Sequence, residues 1–164
     1  MVQLKFWRIL SVSILCFCLV FTSCAKKIPT DLSTPENTLK TLLTAMFYKD
    51  ADAFLHCMTE EQLLAYGNSP QAEEARLRES IKHTRGYGHS ASEFEITKRL
   101  ESKGRVRLEF QLKKKFLTRA DDEGWRGAHL FIRKTDGWKS YGVDVYRAGK
   151  WIYTKEDPFT PQYQ

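Results

Sequence analysis

The side chains able to do acid–base, nucleophilic or metal chemistry are few in this chain and widely spaced. Its 4 histidines, His56, His83, His89 and His129, include no pair at helical i, i+4 spacing and no Cys or carboxylate pattern typical of zinc. His129 is the best single candidate, because it lies in an apolar run that reads as a strand. Its alternation with Leu130 permits either an inward or an outward ring. Asp144 stands between Val143 and Val145; turned into a pocket, its carboxyl would be desolvated, raised in pKa and able to accept a proton. Strict alternation instead places Asp144 in water if the two valines face the core. Asp121-Asp122-Glu123 lacks the ligand spacing of a calcium loop and reads as solvated charge. There is no Gly-rich phosphate loop, no Gly-x-Ser-x-Gly elbow and no Cys–His arrangement. No catalytic residue, metal site or cofactor is assigned on these patterns. The aromatic set Trp125, Trp138, Tyr141, Tyr146, Trp151 and Tyr153 crowds the C-terminal half. With His129 and Asp144, Trp125 and Tyr141 are the side chains expected to line a pocket.

The elements that must position these groups are legible from capping and periodicity. Thr34 as N-cap, Pro35 at the first helical position and Glu36 in the first turn open a helix whose Leu39, Leu42, Leu43, Met46 and Phe47 form one apolar stripe to be buried. A short second helix carries Ala51, Ala53, Phe54, Cys57 and Met58, and Thr59-Glu60-Glu61-Gln62 reads as a capping box that starts a third, ending at Gly67. Ser69-Pro70 begins a fourth through Ile81, with Arg85 in its last turn and a charged outer face. From Ser92 the period changes to two. Phe94 and Ile96, then Val106, Leu108, Phe110 and Leu112 alternating with Arg105, Arg107, Glu109, Gln111 and Lys113, predict a half-buried antiparallel pair. A third strand over residues 128–134 turns at Thr135-Asp136-Gly137 into a fourth over 138–146, and a last one follows Ala148-Gly149 from about Lys150 to Thr154. Helices followed by a meander of strands predict an α+β class with the helices on one face of a curved antiparallel sheet.

The chain has 164 residues, 26 Lys+Arg against 20 Asp+Glu, and a net charge of +6. That is one modest domain, too apolar for disorder and without the clustered basic face of a nucleic-acid binder. The first residues follow the grammar of a secretory signal: Lys5 and Arg8 without an acid, the apolar run Ile9 to Phe21, then Thr22-Ser23-Cys24. The run is shorter than the roughly 20 residues of an untilted spanning helix. A short uncleaved anchor and an ordinary signal peptide remain the alternatives. With Lys5 and Arg8 removed the net charge falls by two, to +4. Phe21-Thr22-Ser23-Cys24 resembles the lipobox of bacterial lipoproteins. The resemblance implies diacylglyceryl transfer to the Cys24 thiol, cleavage before it and acylation of the new amine, so that several acyl chains anchor the protein stably. Ala25, by the same resemblance, favours outer-membrane sorting in a bacterium with two membranes; otherwise the cell membrane is the address. Cys57 is then the one cysteine left for the domain, and its apolar neighbours place it in the core.

Residues 1–23 are thus expected to be a signal, 24–33 a tether, 34–157 the domain and 158–164 a loose tail. Thr34-Pro35-Glu36-Asn37, Tyr48-Lys49-Asp50-Ala51-Asp52-Ala53-Phe54 and Phe131-Ile132-Arg133-Lys134-Thr135-Asp136-Gly137-Trp138-Lys139 resemble motifs of the nuclear-transport-factor-two-like, or cystatin-like, cone and of its small bacterial lipoprotein members. That resemblance implies a cone-shaped sheet with a pocket between sheet and helices, and it does not fix a function. The expectation is a lipid-anchored extracytoplasmic domain that binds a small apolar ligand or a protein partner, without evident catalysis and without nucleic acid; a homodimer is among the admitted assemblies. The alternatives are a cone-fold enzyme, isomerase or hydrolase-like, using Asp144 or His129, and a structural accessory of the envelope.

Overall fold

A computed structural model of the chain describes residues 27–64, 70–83, 89–117, 126–153 and 158–159. The expected elements Gly67, Arg85 and Asp121-Asp122-Glu123 lie outside the described residues, as do Cys24 and Trp125. Among the described residues, four α-helices precede a five-stranded antiparallel sheet: α1 Pro35–Tyr48, α2 Ala51–His56, α3 Glu60–Leu64, α4 Pro70–His83, then β1 Phe94–Ser102, β2 Arg105–Leu112, β3 Arg126–Lys134, β4 Gly137–Arg147 and β5 Lys150–Ile152. The strands lie side by side in chain order, β1-β2-β3-β4-β5. The class is therefore α+β, with helices laid against an antiparallel sheet.

Local chemistry explains the boundaries. The Thr34 hydroxyl accepts from the Asn37 N–H, Pro35 occupies the first turn, and α1 ends at Lys49 in the left-handed conformation, φ 59°. Asp50 caps α2 by accepting from the Ala53 N–H at 3.0 Å. Only half of the expected capping box forms: Thr59 Oγ1 accepts from Gln62 N–H at 3.2 Å. The Thr59 N–H is taken instead by the Ser140 carbonyl at 2.8 Å, because the helix start is drawn onto the edge of β4. Ser140 N–H in turn donates to Cys57 O at 2.7 Å, and Trp138 N–H to Leu32 O at 2.9 Å. The outer edge of β4 is thereby paired, first by the chain around Leu32 and Met58 and further along by β5.

The main core lies between α1, the end of α2 and one sheet face, where Leu39, Leu42, Leu43, Cys57, Phe94, Val106, Leu108, Leu112 and Phe131 are buried together with Leu32. Phe54, Phe110, Phe116 and Trp138 pack against it half-buried. Met46 and Phe47, expected in the buried stripe, are half-buried, and the stripe is completed by Thr38, Thr41 and Ala45. The two threonines go inside because their hydroxyls are paired: Thr38 Oγ1 donates to Thr34 O at 2.9 Å, and Thr41 Oγ1 accepts from Asp31 N–H at 3.3 Å. The fourth helix packs on α2 and α3.

Residues 24–33 were expected to be a tether; residues 24–26 lie outside the described residues, and the stretch 28–32 is docked on the domain. Ile28 and Leu32 are buried, and Ile28 N–H donates to Asp50 Oδ2 at 3.2 Å. At the far terminus Phe159 is also buried, in the stretch expected to be a loose tail. Ile28, Leu32 and Phe159 go inside because burying an apolar side chain gains about 1.5–3 kcal/mol.

Gly137 opens β4 at φ 124°, and a Cβ there would stand 2.7 Å from both Cβ and the carbonyl oxygen of Leu32. Gly137→Ala combines forbidden backbone with a clash against the strand-edge bond, so a loss of about 2–4 kcal/mol is expected in a denaturant titration. Gly104→Ala, at φ 71° in an open turn with nothing within 4 Å, carries the backbone cost alone, about 1 kcal/mol.

Candidate functional site

The register decides which candidate side chains can meet. Leu108, His129 and Val143 are paired across β2, β3 and β4 and share the helix-side face; Glu109, Ala128 and Asp144 form the next row and point the other way. His129 and Asp144 are thus separated by the sheet itself. Tyr141 is half-buried under Arg105, whose guanidinium carbon is 5.2 Å from the ring centroid. The expected pocket of His129, Tyr141 and Asp144 is not one constellation.

His129 lies inside the domain, 6% exposed, its ring stacked between Phe110 and Phe131 at centroid distances of 5.8 and 5.9 Å. Nδ1 lies 3.1 Å from Ser140 Oγ. Burial pushes its pKa down to about 4, so the ring is neutral at pH 7. A neutral imidazole beside a serine has the composition of a nucleophile–base pair, yet Ser140 is fully buried and its backbone N–H and carbonyl are both held by the Cys57–Thr59 chain. The pair orients the inner end of β4. Cys57 is equally enclosed: burial pushes its thiol up to about 12 and its Sγ donates to Ala53 O at 3.2 Å, so it is an inert core thiol.

The alternation of Arg105, Arg107, Glu109 and Gln111 predicted a solvated face for β2, and Asp144 was expected in water. The structure corrects both. Arg107 is 2% and Asp144 1% exposed, while Val145 is 45% exposed. Arg107 Nε donates to Asp144 Oδ2 at 3.1 Å, and its Nη1 contacts Glu109 Oε1. Arg126 Nη2 lies 3.6 Å from Glu109 Oε2. Rings close over these charges: Arg107 sits 4.3 Å from the Trp151 centroid and 5.6 Å from that of Tyr153, and Arg126 sits 4.5 Å from that of Tyr146. Two guanidiniums and two carboxylates balance in charge beneath an aromatic cover, which lowers the cost of taking them out of water. Arg107 Nη2 and Arg126 Nε remain buried without a partner. With Arg107 donating to its carboxylate, Asp144 is not poised as a free base.

Among the described residues, side chains of α1 and the sheet pack together in one buried cluster, and two clefts lie outside it. One of about 640 Å³ is lined by Lys27, Tyr48, Lys49, Asp50, His56 and Arg78 among others. A second, of about 410 Å³, runs between Leu32 and the β3–β4 turn at Lys134, Asp136 and Trp138. Among the described residues no group of three or more His, Cys, Asp or Glu is placed to hold a metal ion, and no helix is long and apolar enough to cross a membrane.

The feature that residue-by-residue inspection missed is a row across the sheet. Ile96, Phe110, Gly127, Val145 and Ile152 are successive partners on all five strands. Ile96, Val145 and Ile152 are 44%, 45% and 49% exposed. Phe110 lies across Gly127, where an added Cβ would come within 3.1 Å of the ring. On the same face, one step toward the end of the sheet, stand Arg147 and its partner Lys150, both exposed. The signal in the sequence was the valine pair around Asp144, read as core because alternation does not say which face is covered.

No protein-family model, no curated protein and no solved structure matches the chain.

Removing Arg107 strands two buried carboxylates. Arg107→Met is expected to cost about 3–5 kcal/mol, and Arg107→Met with Asp144→Leu markedly less than the two single losses summed, as read in a double-mutant cycle by denaturant titration. His129 contributes a pH dependence of known sign. Its folded pKa lies below the unfolded value near 6.5, so the unfolded chain binds more protons and stability falls as pH drops from about 6.5 toward 4, by roughly 3 kcal/mol at most. His129→Leu should flatten unfolding midpoints across that window.

Proposed function

We propose that the chain is a lipid-anchored extracytoplasmic binding module, acylated at Cys24, that recognises a protein partner through the end of its sheet. The observation that carries this reading is the row Ile96–Phe110–Gly127–Val145–Ile152, in which Ile96, Val145 and Ile152 are exposed while Phe110 packs half-buried against the core. Isolated exposed apolar side chains are ordinary, but Val145 and Ile152 are exposed partners on adjacent strands with Ile96 at the far end of the same row, and apolar patches mark contact surfaces. Arg147 and Lys150 border it, so the matching partner presents apolar side chains rimmed by carboxylates. The small apolar ligand has less support, since the described side chains Leu42, Leu108 and Phe131 pack on one another between α1 and the sheet. The enzyme reading has less still, with His129 and Asp144 on opposite faces.

The anchor rests on the basic start, the apolar run and Cys24, and the cone family on the helix-then-meander order and the Asp136-Gly137-Trp138 turn. Extraction of the acylated chain with its membrane is the natural setting for the test. A photoreactive side chain at Ile152 should crosslink one discrete polypeptide there, and Val145→Asp should lower the yield at least tenfold while leaving the unfolding midpoint unchanged. Equal crosslinking with and without Val145→Asp, or a retained metabolite with no crosslinked polypeptide, overturns the reading.

A further inference from the structure

β1 stands first in the sheet, and among the described residues no strand lies beyond it. An open strand edge is a template for another strand, and proteins commonly blunt it with a charge or a bulge. Here the register shift between Ile96 and Lys98 on one side and the Lys103-Gly104 turn on the other bracket a regular stretch, Lys98–Ser102, every residue of which is exposed or half-buried. The turn decides which backbone groups of that stretch point outward. Lys103 and Gly104 have φ 49° and 71°, the paired positive values of a type I′ turn, and Ser102 and Arg105 close it as partners. The closing pair of such a hairpin exchanges both hydrogen bonds, and bonded pairs then alternate with non-bonded ones along the ladder. Ser102, Leu100 and Lys98 therefore bond inward to β2, while the N–H and C=O of Arg99 and Glu101 point off the free edge. No backbone bond from outside the sheet reaches either residue among the described residues.

We propose that this edge pairs with itself: Lys98–Ser102 lies antiparallel to the same stretch of a second copy, about a two-fold axis at Leu100, joining two sheets into one. Arg99 then stands opposite the partner's Glu101 and Glu101 opposite the partner's Arg99, each pair exchanging both backbone bonds with opposite charges directly across. Leu100 meets the partner's Leu100 in the intervening non-bonded pair, where side chains approach most closely. The pairing does not require a free guanidinium. Arg99 keeps Nε on Glu36 Oε1 at 2.9 Å and its contact with Glu101, and the backbone makes the new bonds. The charges also select the register. An axis at Arg99 would set that residue against its own copy, and an axis at Glu101 would do the same to the carboxylate, like against like in both cases. With the bulge and the turn stopping the ladder at either end, the contact closes as an isologous dimer and does not grow into a fibre. Val145 and Ile152 lie on the strands at the far end of the sheet, so this pairing is independent of the protein partner proposed for them.

The test uses the full chain with added cysteines under a mild thiol oxidant, dimers being read on non-reducing gels against the unsubstituted chain. Leu100→Cys should give a disulfide-linked dimer, because the Cα atoms of a non-bonded pair stand about 4.5 Å apart, within disulfide reach. Lys98→Cys alone should give at least tenfold less, its two copies being offset by about 14 Å along the strands. A mixture of Lys98→Cys and Ser102→Cys chains should link again, since those positions face each other. Adding Glu101→Arg to Leu100→Cys sets like charges across the axis and should lower the yield roughly fivefold, and adding Arg99→Glu as well should regain it. Linkage at Leu100→Cys no greater than at Lys98→Cys, no linkage in the mixed chains, or a yield that ignores the charge reversal overturns the pairing.

Discussion

The structure depends on the burial of one guanidinium. Arg107 reaches from β2 across β3 to Asp144 on β4 and holds Glu109 on its own strand, with Trp151 of β5 stacked above it. Ala128, between Glu109 and Asp144 in the paired row, is small enough for the arginine to pass over. Such a cluster costs desolvation that its attractions offset only when every charge is matched, so its presence is weak evidence for stability in itself. Its structural effect is positional: two carboxylates on alternate strands, about 10 Å apart, are held to one centre, and a slip of either strand would leave a charge buried and alone. Register on the face away from the helices is thus fixed by charge, as register on the helix side is fixed by Leu108 and Phe131.

This arrangement also explains where sequence reading succeeded. Helix starts were legible because capping is local: Thr34 and Pro35 act on backbone groups within a few residues of themselves. The strand turns were legible for the same reason, with Lys103-Gly104, Asp136-Gly137 and Ala148-Gly149 placed where positive φ is needed. The identity of the covered face was not legible, because Arg107, Glu109 and Asp144 are residues that alternation assigns to water unless their mutual pairing is known, and that pairing runs between positions 37 residues apart. Half of the capping box failed on a similar long-range term, the claim of Ser140 on the Thr59 N–H. Among the candidate side chains, His129 was correctly singled out as unusual, but its neutral, enclosed state follows from Phe110 and Phe131 closing on it, which no local pattern announces.

Burial of the titratable side chains on both faces narrows what the domain can present. A side chain that is buried and paired has its electrostatic capacity spent within the fold, so His129, Asp144 and Cys57, the natural suspects for chemistry, are occupied with structure. Residual capacity lies where the protein has left groups uncovered, at Ile96, Val145 and Ile152 along one row of the sheet with Arg147 and Lys150 beside them.

A domain tied by a long flexible arm samples every orientation, and its recognition surface faces away from the membrane only part of the time. The proposed acylation at Cys24 would attach the chain only four residues before the buried Ile28, and an attachment so close would restrict how far the domain could turn. Orientation lost beforehand need not be lost on binding, so for the proposed partner at the sheet row part of the entropic cost of association would already be met. The docking of Ile28 beside Asp50, a detail of packing, is in this way the link between the fold and the surface on which it would act.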